Sequence, residues 1–121
     1  MIDIKTCTKM INENPQNAAV YLRRGVYQQG EGKYTRAIED YGEAIKNNSE
    51  YAHAYYLRGL ARYLRKDYLI DKKNIIKDLE TASKLGSRLT KGLLREVKEM
   101  RINFYPAIIR WTRKIIKGEK L

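Results

Sequence analysis

Few side chains in this sequence could do covalent or metal chemistry. Cys7 is the only thiol and His53 the only imidazole in a chain of 121 residues. They lie far apart along it, so neither a Cys/His nucleophile pair nor a zinc site is expected. Cys7 falls in the stripe Ile4-Cys7-Ile11 and reads as a small core residue. His53 reads as a surface imidazole on a helix. Asp40 and Glu43 are spaced like a carboxylate pair, but the pattern around them places both on an exposed helix face rather than in a pocket. Gly30-Glu31-Gly32-Lys33 invites comparison with a phosphate-binding loop. That loop needs Gly-x-x-x-x-Gly-Lys followed directly by Ser or Thr, and Tyr27 and Tyr34 occupy the decisive places. The expectation is therefore no catalytic set, no metal and no cofactor: the chain is expected to bind rather than to catalyse.

The elements that would position a binding surface come from an internal repeat. Ala18-Ala19-Val20-Tyr21-Leu22-Arg23-Arg24-Gly25 returns as Ala52-His53-Ala54-Tyr55-Tyr56-Leu57-Arg58-Gly59, at an offset of 34 for Ala18/Ala52, Tyr21/Tyr55, Arg24/Arg58 and Gly25/Gly59. Four extra residues then intervene near Lys66–Lys73, and the offset becomes 38 at Ile38/Ile76, Asp40/Asp78, Ala44/Ala82 and Lys46/Lys84. Tyr34, Ala37, Ile38, Tyr41, Ala44 and Ile45 recur at three- and four-residue spacing, the apolar stripe of an amphipathic helix. Gly30 and Gly32 break the chain before it. Gly25 in mid-helix costs about 1 kcal/mol against alanine, so its return at Gly59 implies close helix contact.

These residues resemble the tetratricopeptide repeat family. The likeness lies in its spaced pattern of aromatic, small residue, tyrosine, alanine, aromatic and alanine, met here by Tyr21, Gly25, Tyr34, Ala37, Tyr41 and Ala44. It implies an all-α fold, an α-solenoid of antiparallel helix pairs with about seven helices and a C-terminal capping pair. Within a single domain, residues 1–16 would form a half-repeat helix, 18–51 the first repeat, 52–87 a second with the insertion, and 88–121 a basic terminal helix pair. Ser49 stands where the family has proline, and Ile75 and Leu79 replace its alanine and aromatic, which is expected to loosen the second repeat.

The resemblance also implies a concave groove lined by the first helices of successive pairs. Its positions fall on Ala19, Leu22, Val26 and Gln29, then His53, Tyr56, Leu60, Tyr63 and Leu64, then Lys91, Leu94, Lys98 and Arg101. Such a groove is apolar for most of its length and basic at one end. It suits a protein or peptide partner with apolar anchors and acidic flanks. The opposing reading is that Leu22, Tyr56 and Leu60 are spent on the chain's own neighbouring helices. Family members that clamp acidic chaperone tails use a lysine and an asparagine where this chain has Leu22 and Val26, so a chaperone-tail clamp is not expected.

Charge is unevenly spread. Residues 1–50 are balanced at seven basic and seven acidic side chains, and the rest of the chain carries the whole net +11. Lys91, Arg95, Lys98 and Arg101 recur at helical spacing over 88–103, and Arg110, Arg113, Lys114 and Lys117 do so on a last helix beside Trp111. Three readings stand: a solvated outer face, a surface for an acidic protein, and a basic module associated with nucleic acid or an anionic membrane. The lone cysteine fits a reducing compartment. With no signal-like N-terminus and no long apolar run, a cytoplasmic protein is expected. Ten tyrosines among twelve aromatics suggest packing sites that are only half buried. Oligomeric state cannot be read from these residues.

Overall fold

The computed structural model describes residues 3–100, with 114–115 and 117–118. The described part is all helical: α1 (Ile4–Glu13), α2 (Ala18–Gly30), α3 (Tyr34–Asn47), α4 (Ala52–Leu64), a short 3-10 turn (Asp67–Leu69), α5 (Lys72–Lys84) and α6 (Thr90–Glu99). Each helix packs on the next, and α2 also touches α4. Alternate helices therefore follow one another along one side, the arrangement of an α-solenoid. Most of the expected last helix, with Arg110, Trp111 and Arg113, lies outside the described residues.

Local chemistry sets the helix ends. Asp3 caps α1 by accepting from Thr6 N at 2.8 Å. Gly32, at φ +76°, turns the chain between α2 and α3, while Lys33 N and Gly32 N return to the Gln28 and Gln29 carbonyls. At the insertion Lys66 adopts the left-handed conformation (φ 69°) and the 3-10 turn follows.

Three apolar clusters run along the solenoid. Cys7, Ile11, Val20, Tyr21, Ala44 and Ala54 form the first; Ala37, Tyr41, Leu57 and Ala61 the second; Ile75, Leu79 and Val97 the third. Cys7 is fully buried. Burial pushes its thiol pKa up, which leaves it unreactive.

One expectation is corrected here. The tyrosines are not uniformly half buried. Tyr41 is fully buried because Gln29 Oε1 accepts its hydroxyl proton at 2.7 Å, and Tyr21 is nearly so, donating to Pro15 O at 2.9 Å. Tyr55 makes the equivalent bond to Ser49 O at 3.0 Å. Only a backbone carbonyl is needed there, so serine serves in place of proline. Ile75 and Leu79 are wholly buried where Ala37 and Tyr41 stand in the first repeat. Leu89 is 61% exposed. It is the N-cap of α6 and stands before the first turn, while Thr90 takes the buried place.

Candidate functional site: the face of α2, α4 and α6

The side of the solenoid formed by α2, α4 and α6 holds most of the residues expected to bind. On α2, Leu22 is half-buried, Ala19 is exposed and Val26 is 43% exposed. On α4, His53 is exposed and stacks on Tyr56, with ring centroids 6.1 Å apart. Tyr56, Leu60 and Tyr63 are half-buried, and Leu64 is exposed. Tyr63 links α4 to α6 by donating to Glu96 Oε1 at 2.9 Å, and its ring lies 5.4 Å from that of Tyr68. The bond to Glu96 raises the Tyr63 pKa.

Leu22 packs against the first and second clusters, Leu60 against the second, and Tyr56 against the second and third. Each spends one flank on the core and keeps the rest at the surface.

On α6, Lys91, Leu94, Arg95, Lys98 and Glu99 line one shallow depression. Lys98 is engaged by Glu80 of α5 at 3.0 Å. Among the described residues, no carboxylate ion pair is formed by Lys91 or Arg95. Three cations and Glu99 thus surround Leu94, which also packs on the third cluster with Tyr56 and Tyr63 of α4. Lys114 and Lys117 are exposed. Arg101, Arg110 and Arg113 lie outside the described residues.

One constellation was misplaced by sequence reasoning. Asp40, expected on an exposed face, is 5% exposed. It accepts from Arg24 Nε and Nη2, each at 2.8 Å, while Gln28 Nε2 donates to Asp40 Oδ2 at 2.9 Å. The second repeat repeats the device: Asp78 takes Arg58 Nε and Nη2 and Arg62 Nη1, all at 2.8 Å. The Arg24 and Arg58 pKa values rise because of their bonds to Asp40 and Asp78. Arg24 also donates to Thr8 Oγ1 at 3.2 Å, tying α1 to the first pair. A charge this well buried is satisfied rather than catalytic. The signal was present in the recurrence of Arg24 as Arg58 and of Asp40 as Asp78. Among the described residues, no group of three metal-ligating side chains converges.

A profile of the TPR repeat matches residues 31–65, which run from the turn after α2 to the end of α4. Residues 31–65 are therefore a tetratricopeptide repeat, and the described helices share the fold of TPR domains. Among solved structures, this chain is similar to the first TPR of Spaghetti (RPAP3) bound to HSP90 peptide SRMEEVD, with 26% identity, TM-score 0.72, and coverage of 79% of this chain and 75% of that one. It is equally similar to the second TPR domain of human RPAP3 in complex with HSP70 peptide SGPTIEEVD, at 26% identity and TM-score 0.71, covering 79% and 78% of the two chains. The TPR2B domain of yeast Sti1, solved as a complex with pHsp70, shares the fold at 24% identity and TM-score 0.72, covering 81% and 82%. No curated protein matches.

These likenesses overturn the expectation that a chaperone-tail clamp is excluded. That exclusion weighed two positions on one helix, Leu22 and Val26. Carboxylate recognition in a groove is shared among helices, and α6 carries Lys91 and Arg95 on the depression described above.

Proposed function

We propose that this TPR chain is a non-catalytic interaction module. It holds an extended peptide of a partner protein along α2, α4 and α6, with the peptide's carboxylates toward Lys91 and Arg95. The observation that supports the reading is that Leu94, which lines a depression with Lys91, Arg95, Lys98 and Glu99, packs on the same apolar cluster as Tyr56 and Tyr63. Apolar anchors would seat between the half-buried side chains of α2 and α4, where water is already partly excluded. The cations of α6 would then fix the direction in which the peptide lies. Chaperone tails are within this class, since SRMEEVD and SGPTIEEVD combine aliphatic residues with clustered carboxylates.

The net charge of +11 favours a second reading, a basic module on nucleic acid. Titrating the chain with the SRMEEVD peptide and, separately, with a duplex oligonucleotide across a salt series separates the two. The groove reading expects peptide binding that weakens gently with salt. Binding of the oligonucleotide alone, with a steep log–log salt slope, would replace it with the nucleic-acid reading.

A further inference from the structure

The segment between α4 and α5 departs from the repeat period, and it adds an apolar tip that the fold does not use. Ile70 is 92% exposed, the most exposed large apolar side chain among the described residues, and its neighbour Leu69 is 37% exposed. The loop that carries them is firmly tied. Arg65 Nε and Nη2 donate to the two oxygens of Asp67 at 2.9 and 2.7 Å. Ile70 N and Asp71 N both return to Asp67 O, at 2.9 and 2.7 Å, and Tyr68 packs on Tyr63. These bonds hold Ile70 outward in a fixed position, although burying it would favour folding.

Charge around the tip is also arranged against the needs of the fold. Lys72 and Lys73 occupy the first two positions of α5, whose first turn contains no acidic residue. Cations are disfavoured there by the helix dipole. Lys66, Lys73 and, at the neighbouring start of α3, Arg36 are exposed. Arg65, the C-cap of α4, ties this loop to the start of α3 by donating to Thr35 Oγ1 at 3.2 Å. Of the nearby carboxylates, Asp67 is paired with Arg65 and Glu31 with Lys33 at 2.9 Å, while the exposed Asp71 beside Ile70 accepts only from the neutral amide of Asn74, at 2.6 Å; the cations still outnumber it. The edge that results is a convex apolar tip within a basic skirt.

We infer that the Lys66–Lys73 insertion is a membrane-contact site, with Ile70 entering the interfacial layer of an anionic bilayer while Lys66, Lys73 and Arg36 meet lipid phosphates and carboxylates. A bilayer fits this edge better than a protein does. A protein interface needs an apolar centre several residues wide and a complementary pocket, whereas a fluid interface accepts a single protruding side chain and rewards each nearby cation. The site borders the proposed peptide groove at Tyr63, on which Tyr68 packs, so the chain could present a bound peptide at a membrane surface.

Sedimentation of the full chain with vesicles of phosphatidylcholine, with or without phosphatidylserine, tests this. Binding is expected only with phosphatidylserine. Ile70→Ser should weaken it by about tenfold, in line with the apolar area withdrawn from the interface. Lys66→Glu with Lys73→Glu should weaken it by at least about fivefold for each lysine lost. Because these side chains are exposed, the variants should melt as the parent does. Absence of vesicle binding would overturn the inference. So would binding that Ile70→Ser leaves intact, because the net charge alone would then be responsible. Loss of a protein partner in Ile70→Ser, without any vesicle binding, would make the tip a protein contact and overturn it equally.

Discussion

A methyl group placed on Gly25 would stand 2.5 Å from Tyr41 Cε1 and 2.9 Å from Cδ1, so the Tyr41 ring lies directly on the glycine backbone. In the second repeat the pair becomes Gly59 and Leu79, where the corresponding methyl would meet Leu79 Cδ2 at 3.0 Å. A broad ring has been exchanged for a branched chain that can move. Gly25→Ala should therefore destabilise the protein by about 1–3 kcal/mol, Gly25→Leu by more, and Gly59→Ala by clearly less than Gly25→Ala. Urea unfolding of the three variants checks the order. Equal costs for the two alanine variants would mean that ring rigidity is not what sets them.

The two arginine clasps differ in what remains when the carboxylate is lost. Asp40→Ala leaves Arg24 facing an amide, whereas Asp78→Ala leaves Arg58 and Arg62 facing each other. Breaking a buried ion pair from one side costs about 3 kcal/mol. Asp78→Ala should be the more destabilising of the two, and replacing Arg58, Asp78 and Arg62 together by apolar residues should recover much of the loss. Denaturant titration gives both comparisons.

Alkaline pH should act through Tyr41. Burial, with a smaller contribution from the neighbouring Asp40 charge, raises its folded pKa well above the ordinary phenol value. A folded value above the unfolded one means that the stabilisation is complete below about pH 10 and declines as pH rises past it. The ionised phenol could also no longer donate to Gln29 Oε1. The urea midpoint should fall above that pH, and Tyr41→Phe should flatten the fall while costing about 1 kcal/mol at neutral pH for the lost hydrogen bond.

The period of 34 made the helix pairs, the close approach at Gly25 and the burial of Cys7 legible in the sequence, because each follows from spacing alone. Asp40 was not legible in the same way. Periodicity places it at the margin of the buried face, and only the guanidinium arriving from the adjacent helix decides that it lies inside. The chaperone-tail exclusion failed because two positions on α2 were made to stand for a surface that α4 and α6 also build.

The central claim is that α2, α4 and α6 form one peptide-binding surface, apolar in the middle and cationic at the α6 end. Its most direct test is to select peptides from a random displayed library on the folded chain. Their affinities are then measured for the parent, for Leu60→Ala and for Lys91→Glu with Arg95→Glu, each checked for helical content by circular dichroism. The account predicts peptides enriched in aliphatic and acidic residues. Leu60→Ala should weaken them at every salt concentration by about 2 kcal/mol, the cost of losing an anchor. The charge reversal should slow association and remove the salt dependence. Selected peptides that bind both correctly folded variants as tightly as the parent would contradict it.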